Sequence, residues 1–166
     1  MTTLIKVSGA SRSGTTMLHL MLGNSPDAFA CGEVHAWYRP HKRHHFIGNC
    51  RCGRNPCPVW ERIRTVPERQ FYKRVIEELK VGFIIDSSKE LGWLIDSQDW
   101  AIAGGIKVLN LVLWKDPIDL AYSHWKRGEG LNSWRRGFVN FYKFFQTGCL
   151  FDPYISVTWS ANHGAS

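Results

Sequence analysis

The chain has 166 residues, 44% apolar and 21% charged, with 21 Lys and Arg against 14 Asp and Glu for a net charge of +7. That balance fits one globular domain over residues 1–166 and excludes a disordered or collagen-like chain. No run of 18 apolar residues and no basic segment leading into a long apolar one appears, so neither a membrane helix nor a signal peptide is expected, and the expected location is cytoplasmic. The positive balance favours an anionic ligand or surface. Five Cys, an odd count, make a disulfide framework the less favoured use.

Leu4, Ile5, Lys6 and Val7 suit a buried strand, and Met17, Leu18, Leu20, Met21 and Leu22 make a largely apolar helix expected over 14–22. Between them, Gly9 and Gly14 keep the G-x-x-x-x-G spacing of a phosphate-binding loop. A strand, a Gly-bracketed turn and a helix N-terminus aim backbone N–H groups and the positive end of a helix dipole at one point, which suits an anion. A nucleotide triphosphatase follows the second Gly with Lys and then Ser or Thr. Here Thr15 and Thr16 follow Gly14, and the cation of the loop is Arg12, whose planar fork grips a tetrahedral oxyanion in two places. A plain strand-to-helix turn with a solvated Arg12 is the alternative that the loop alone leaves open.

The run Ser11, Arg12, Ser13, Gly14, Thr15 and Thr16 resembles the 5′-phosphosulfate loop of the sulfotransferases. These enzymes move a sulfuryl group from 3′-phosphoadenosine 5′-phosphosulfate (PAPS). The resemblance implies an α/β, three-layer P-loop-like fold with a central parallel sheet of about five strands and helices on both faces.

Residues 23–27 are a cluster of helix breakers, and a short strand over 28–31 is expected to deliver Glu33 and His35 to the carboxyl edge of the sheet. Ligands of open α/β sheets sit there. Transfer to a hydroxyl needs a base for the departing proton; a surface Glu or a capping partner is the plainer reading of Glu33. In tyrosylprotein and heparan-type sulfotransferases a catalytic Glu follows the basic residue of the loop at about this distance, in a stretch like 26–33. Glu33 lies 21 positions after Arg12 (33 − 12), and the resemblance assigns it the base role, with His35 as the fallback.

Residues 37–60 read as basic, His-rich and loop-like, with His41, His44, His45, Cys50, Cys52 and Cys57. A zinc site, a buried thiol cluster and a labile disulfide all remain open, although Cys-x-Cys fits zinc spacing poorly. Bacterial sulfotransferases carry a similar insert, which by resemblance rims the acceptor site. The basic run is otherwise a solvated face, and no nucleic-acid partner is expected.

An amphipathic helix is expected over 67–80 and a buried strand over 81–85, ending at Asp86, Ser87, Ser88, Lys89 and Glu90. Ser88 suits a ligand donor or a helix cap, with Glu90 in the first turn. Asp-Ser-Ser-Lys at this place resembles a signature of bacterial sulfotransferases, which implies Lys89 beside the sulfuryl and bridging oxygens. A helix over 91–103 and a strand over 106–113 follow, leading to Lys115, then Asp116 as cap and Pro117 as first residue of the next helix. Ser123 stands eight positions after Lys115 (123 − 115). This resembles the 3′-phosphate motif of the family, with Lys115 in place of the usual Arg; an ammonium lacks the bidentate fork, so weaker phosphate binding is expected. The aromatic stripe Trp134, Phe138, Phe141, Tyr142 and Phe145 reads as core packing, and 154–159 as the last strand.

The resemblance covers about residues 3–160, with four motifs in family order. Relatives continue into helices and a basic loop over the adenosine, so the C-terminal lid is expected to be absent. The function implied is sulfuryl transfer from PAPS to a hydroxyl or amine of a small-molecule, carbohydrate or protein-tyrosine-like acceptor. In it Glu33 is the base, Arg12 and the loop from Ser11 to Thr16 hold the 5′-phosphosulfate, Lys89 stabilises charge, Lys115 and Ser123 clamp the 3′-phosphate, and no metal is required. The alternatives are a nucleotide-binding module without turnover and a P-loop kinase or NTPase, which the missing Lys disfavours.

Overall fold

The computed structural model describes residues 2–39, 54, 56–129, 135, 138, 139, 142 and 154–159, the last six as backbone. Apolar and β-branched runs form strands β1 (Thr3–Gly9), β2 (Ala28–Gly32), β3 (Phe83–Asp86) and β4 (Lys107–Lys115). All pair in parallel in the order β2-β3-β1-β4, and the backbone of β5 (Tyr154–Trp159) extends the order beside β4. The chain is thus α/β with a parallel sheet, as expected. The helices are α1 (Thr15–Leu22), α2 (His35–Tyr38), α3 (Pro58–Ile63), α4 (Phe71–Leu79), α5 (Leu91–Ala103) and α6 (Pro117–Trp125).

The strand order dictates where the helices lie. The step from β1 to β2 passes over the position of β3, and every later step runs the opposite way across the sheet. Right-handed crossovers therefore put α1 on one face and the later helices on the other. Side-chain alternation agrees: Ile5, Val7 and Ile85 pack with Leu18 and Leu22 of α1, whereas Leu4 and Ile84 pack with Trp60, Phe71, Val75 and Trp93. The reversal of direction falls between β1 and β4, which makes the crevice outside their carboxyl ends the natural ligand position.

One polar row runs through this core. Lys6 of β1 is fully buried, with Asp86 and Asn110 as its register partners on either side. Its ammonium donates to the Leu94 carbonyl and, at 2.9 Å, to Ser97 Oγ. Burial lowers its pKa to about 8, against the opposing pull of Asp86.

Several boundaries differ from expectation for local reasons. Pro67 stays extended and a 3-10 turn (Glu68–Gln70) intervenes, so α4 begins only at Phe71. β3 starts at Phe83 because Asp27 holds the preceding residues, its Oδ1 accepting the Gly82 N–H at 2.6 Å and its carbonyl the Phe83 N–H at 3.0 Å. β4 runs two residues past Leu113, since its pairing with β5 continues to Lys115. The stretch 37–60, expected to be loop-like, overlaps the end of α2 and the start of α3; Pro58 opens α3, and Trp60, with Ile63 beyond the stretch, is buried in the main core. The expected helix over 91–103 and the Asp116 cap, which accepts the Ile118 N–H at 2.8 Å, are present. Phe138 and Tyr142 pack on Trp114, as core packing requires, while Trp134, Phe141 and Phe145 lie outside the described residues. Among the described residues no helix is long and apolar enough to cross a membrane.

Candidate functional site

At the end of β1 the chain turns through residues 10–14 into α1. Space demands Gly9: a Cβ there would stand 2.4 Å from Ser13 Oγ and 2.9 Å from the Leu113 carbonyl. The turn closes through the Ser13 N–H, which donates to the Ala10 carbonyl at 3.1 Å. Arg12 has φ 71, a left-handed conformation that costs a residue with a Cβ about 1–2 kcal/mol and that collects at ligand sites. Gly14, at φ 101, adopts its own left-handed conformation freely and caps α1 without a side chain. The first-turn amides of α1 thereby keep their capacity for an anion. Ser13 Oγ and Arg12 Nε are buried without a hydrogen-bond partner among the described residues, and such an unpaired group costs roughly 1–3 kcal/mol. The cradle therefore fits an oxyanion. Ser11 and Thr16 are exposed, whereas the side chains of Ser13 and Thr15 are buried; the Ser13 N–H is engaged by the Ala10 carbonyl, so Ser13 has its unpaired hydroxyl to offer a ligand and Thr15 its backbone N–H.

The expected base and the expected cation meet. Lys89 Nζ donates to Glu33 Oε1 at 2.5 Å, and both side chains are largely buried. Glu33 follows β2 just past a register shift between Ala30 and Gly32. Lys89 is placed from below: Asp86 accepts the Ser88 N–H at 2.8 Å, the Tyr72 hydroxyl at 2.5 Å and the Trp93 indole N–H at 2.9 Å. Ser88 does not cap α5. It is fully buried and its Oγ accepts the His35 N–H at 3.1 Å; residues 87–90 are not helical and the cap falls on Glu90. The Glu90 carboxylate accepts the N–H groups of Gly92 and Trp93 at 2.8 and 2.6 Å. Burial pushes its pKa up, but those N–H groups and Arg39 outweigh burial and hold it below the usual value.

Two imidazoles flank the pair. His19 of α1 accepts the Gly32 N–H on Nε2 at 2.8 Å, which puts its proton on Nδ1. Burial lowers its pKa, with Asp86 and Glu33 pulling the other way. His35, the fallback base, is likewise lowered by burial, and its Nδ1 is sealed without a partner among the described residues. Both are neutral near pH 7 and bring no competing charge to Glu33.

Lys115, the last residue of β4, donates to the Arg12 carbonyl at 3.3 Å. It thus reaches the loop, while Ser123 is half-buried two turns along α6. Two residues here have no counterpart in the sequence reading. Glu129 Oε1 accepts from Arg12 at 2.8 Å, and its Oε2 meets Nδ1 of the buried His124 at 2.5 Å. The Nε2 of His124 faces the Ser11 carbonyl at 3.3 Å. Arg12 and Glu129 are 117 positions apart, so no local pattern links them.

Among the described residues no three His, Cys, Asp or Glu are placed to hold a metal ion. Cys50, Cys52 and the His41 to His45 run lie outside the described residues, so the zinc, thiol and disulfide alternatives fall there too; Cys57 precedes α3. No protein-family model matches the chain, and no curated protein matches it either.

Proposed function

We propose that this protein is a PAPS-dependent sulfotransferase, acting in the cytoplasm on a hydroxyl or amine of a small-molecule, carbohydrate or tyrosine-like acceptor. The sheet and its helices are read as the three-layer P-loop-like fold of that family. The observation that carries the reading is the pairing of Glu33 with Lys89 at the carboxyl edge that also bears the uncapped, Arg-containing loop. An anion cradle on the same sheet edge as a carboxylate and an ammonium is the combination that sulfuryl transfer needs.

In that reaction the acceptor oxygen or nitrogen attacks sulfur in line and a new bond to sulfur forms. The bond between sulfur and the bridging phosphate oxygen breaks, its electron pair leaving on 3′-phosphoadenosine 5′-phosphate (PAP). The acceptor proton passes to Glu33. Lys89 turns from Glu33 to the bridging oxygen as charge grows there, which frees the carboxylate to act as base. Arg12 and the amides from Gly14 to Thr16 hold the 5′-phosphosulfate, and Lys115 and Ser123 take the 3′-phosphate. Fixed donors aimed at the leaving group are the larger contribution to the rate. The second reading is a nucleotide-binding module, favoured by the same Glu33–Lys89 contact, which occupies the base in the resting site.

The test is thermal melting with PAP, ADP and ATP, with and without Mg²⁺. PAP at 100 times its Kd should stabilise by about 2.7 kcal/mol without metal. Stabilisation by ATP with Mg²⁺ and none by PAP would sink the sulfotransferase reading. PAP binding with no sulfated product from any hydroxyl or amine acceptor would favour the module.

A further inference from the structure

Arg12, the cation of the loop, faces a carboxylate from its own chain. α6 ends at Trp125, and the turn after it is closed by the N–H groups of Arg127 and Glu129 on the His124 carbonyl, at 3.1 and 3.2 Å. Gly128, at φ 72, allows the chain to fold back. The turn brings the Glu129 carboxylate between Arg12 and His124, one oxygen on each. His124 in turn faces the Ser11 carbonyl, so the assembly spans from the loop to the end of α6. A carboxylate oxygen meets a guanidinium N–H much as a phosphate or sulfate oxygen does, and here Glu129 commits one oxygen to Arg12. Its hydrogen bond with Arg12, and next that with His124, hold the Glu129 pKa below the usual value, so it is an anion in the resting protein.

The pair is built to be exchanged. Side-chain exposure is 29% for Arg12 and 36% for Glu129, and a half-exposed ion pair is a weak one. Arg12 is strained, and its Nε and the hydroxyl of the next residue, Ser13, are buried without a partner among the described residues. The loop therefore retains unmet capacity that Glu129 does not fill.

We propose that Glu129 is a resident competitor, a carboxylate that holds Arg12 until a phosphate- or sulfate-bearing ligand takes its place. It sets the selectivity of the loop, because only an anion stronger than a carboxylate gains by the exchange. It also couples loading of the loop to release of the 126–129 turn, and hence to α6, which carries Ser123. This rests on the reading of the loop as an anion site and extends it to how the site discriminates among ligands.

The experiment is titration calorimetry of wild type and Glu129→Gln with PAP and with inorganic pyrophosphate at low ionic strength. Glu129→Gln keeps the shape at a part-exposed position and should bind both probes roughly two- to fivefold more tightly. Hydrogen exchange in the ligand-free proteins gives the second measurement: amides of Ser13 to Thr16 and of 126–129 should exchange faster in the variant. Equal or weaker binding by Glu129→Gln, or unchanged exchange, overturns the proposal. Tighter pyrophosphate binding by the variant with no PAP binding by either protein sinks the sulfotransferase reading and leaves the competitor standing. Equal PAP binding by both does the reverse, and no binding of either probe by either protein sinks both.

Discussion

Asp86 ends β3 beneath the turn that carries Lys89, and Asp86→Asn tests whether this buried carboxylate is what holds the site together. Its Oδ1 accepts the Ser88 N–H, and its Oδ2 accepts both the Tyr72 hydroxyl and the Trp93 indole N–H. Asn keeps the size but converts one oxygen to an NH₂ group. On the Oδ1 side that group meets the Ser88 N–H; on the Oδ2 side it meets the Trp93 N–H. Either way a buried donor faces a donor, at a cost of about 1–3 kcal/mol. The change also removes the charge that offsets Lys6, its fully buried register partner, and stranding one buried charge costs on the order of 3–5 kcal/mol. The two costs overlap, because the same carboxylate is responsible for both. At about 2–4 °C per kcal/mol for a domain of this length, the expected fall in Tm is roughly 6–20 °C. Lys6→Met is the contrast: it leaves Asp86 with its three donors and removes the desolvated ammonium, so its loss should be under half as large. A thermal melt followed by circular dichroism measures both. An Asp86→Asn variant melting within a degree or so of wild type would refute the reasoning.

Lys6 also predicts a pH dependence. Its folded pKa is about 8 against 10.5 ordinarily, so between those values the unfolded chain binds a proton that the folded one does not. Stability therefore rises with pH across that window, by up to about 3 kcal/mol, and the rise should disappear in Lys6→Met; equal urea-midpoint slopes in the two proteins would contradict it. For the chemistry, Glu33→Gln should preserve PAP affinity while transfer to any accepted substrate falls by about two to four powers of ten. Full turnover in that variant would move the base elsewhere.

The sequence by itself determined the parts whose causes are local. Gly9 and Gly14 bracket the loop because a side chain at the first would strike Ser13 and the second needs positive φ. Asp116 and Pro117 mark the start of α6, and the short run Leu4, Ile5 and Val7 around Lys6 marks a strand, since caps and apolar runs are read within a few residues. Placement of Glu33, Lys89 and Lys115 near the carboxyl edge was also legible, because an apolar strand that stops in a polar turn ends there in any parallel sheet. What these residues touch was decided by tertiary structure alone. Glu33 meets Lys89 across 56 positions because β3 lies beside β2. Arg12 meets Glu129 across 117 positions because β4 flanks β1 and α6 returns over the loop. The same strand order buries Lys6 between Asp86 and Asn110, and it draws Trp60 into the core from a stretch whose composition reads as loop. Propensity and periodicity act over a turn of helix or a pair of strand residues, whereas an ion pair depends on which strand lies next to which, a choice made by the burial of whole faces.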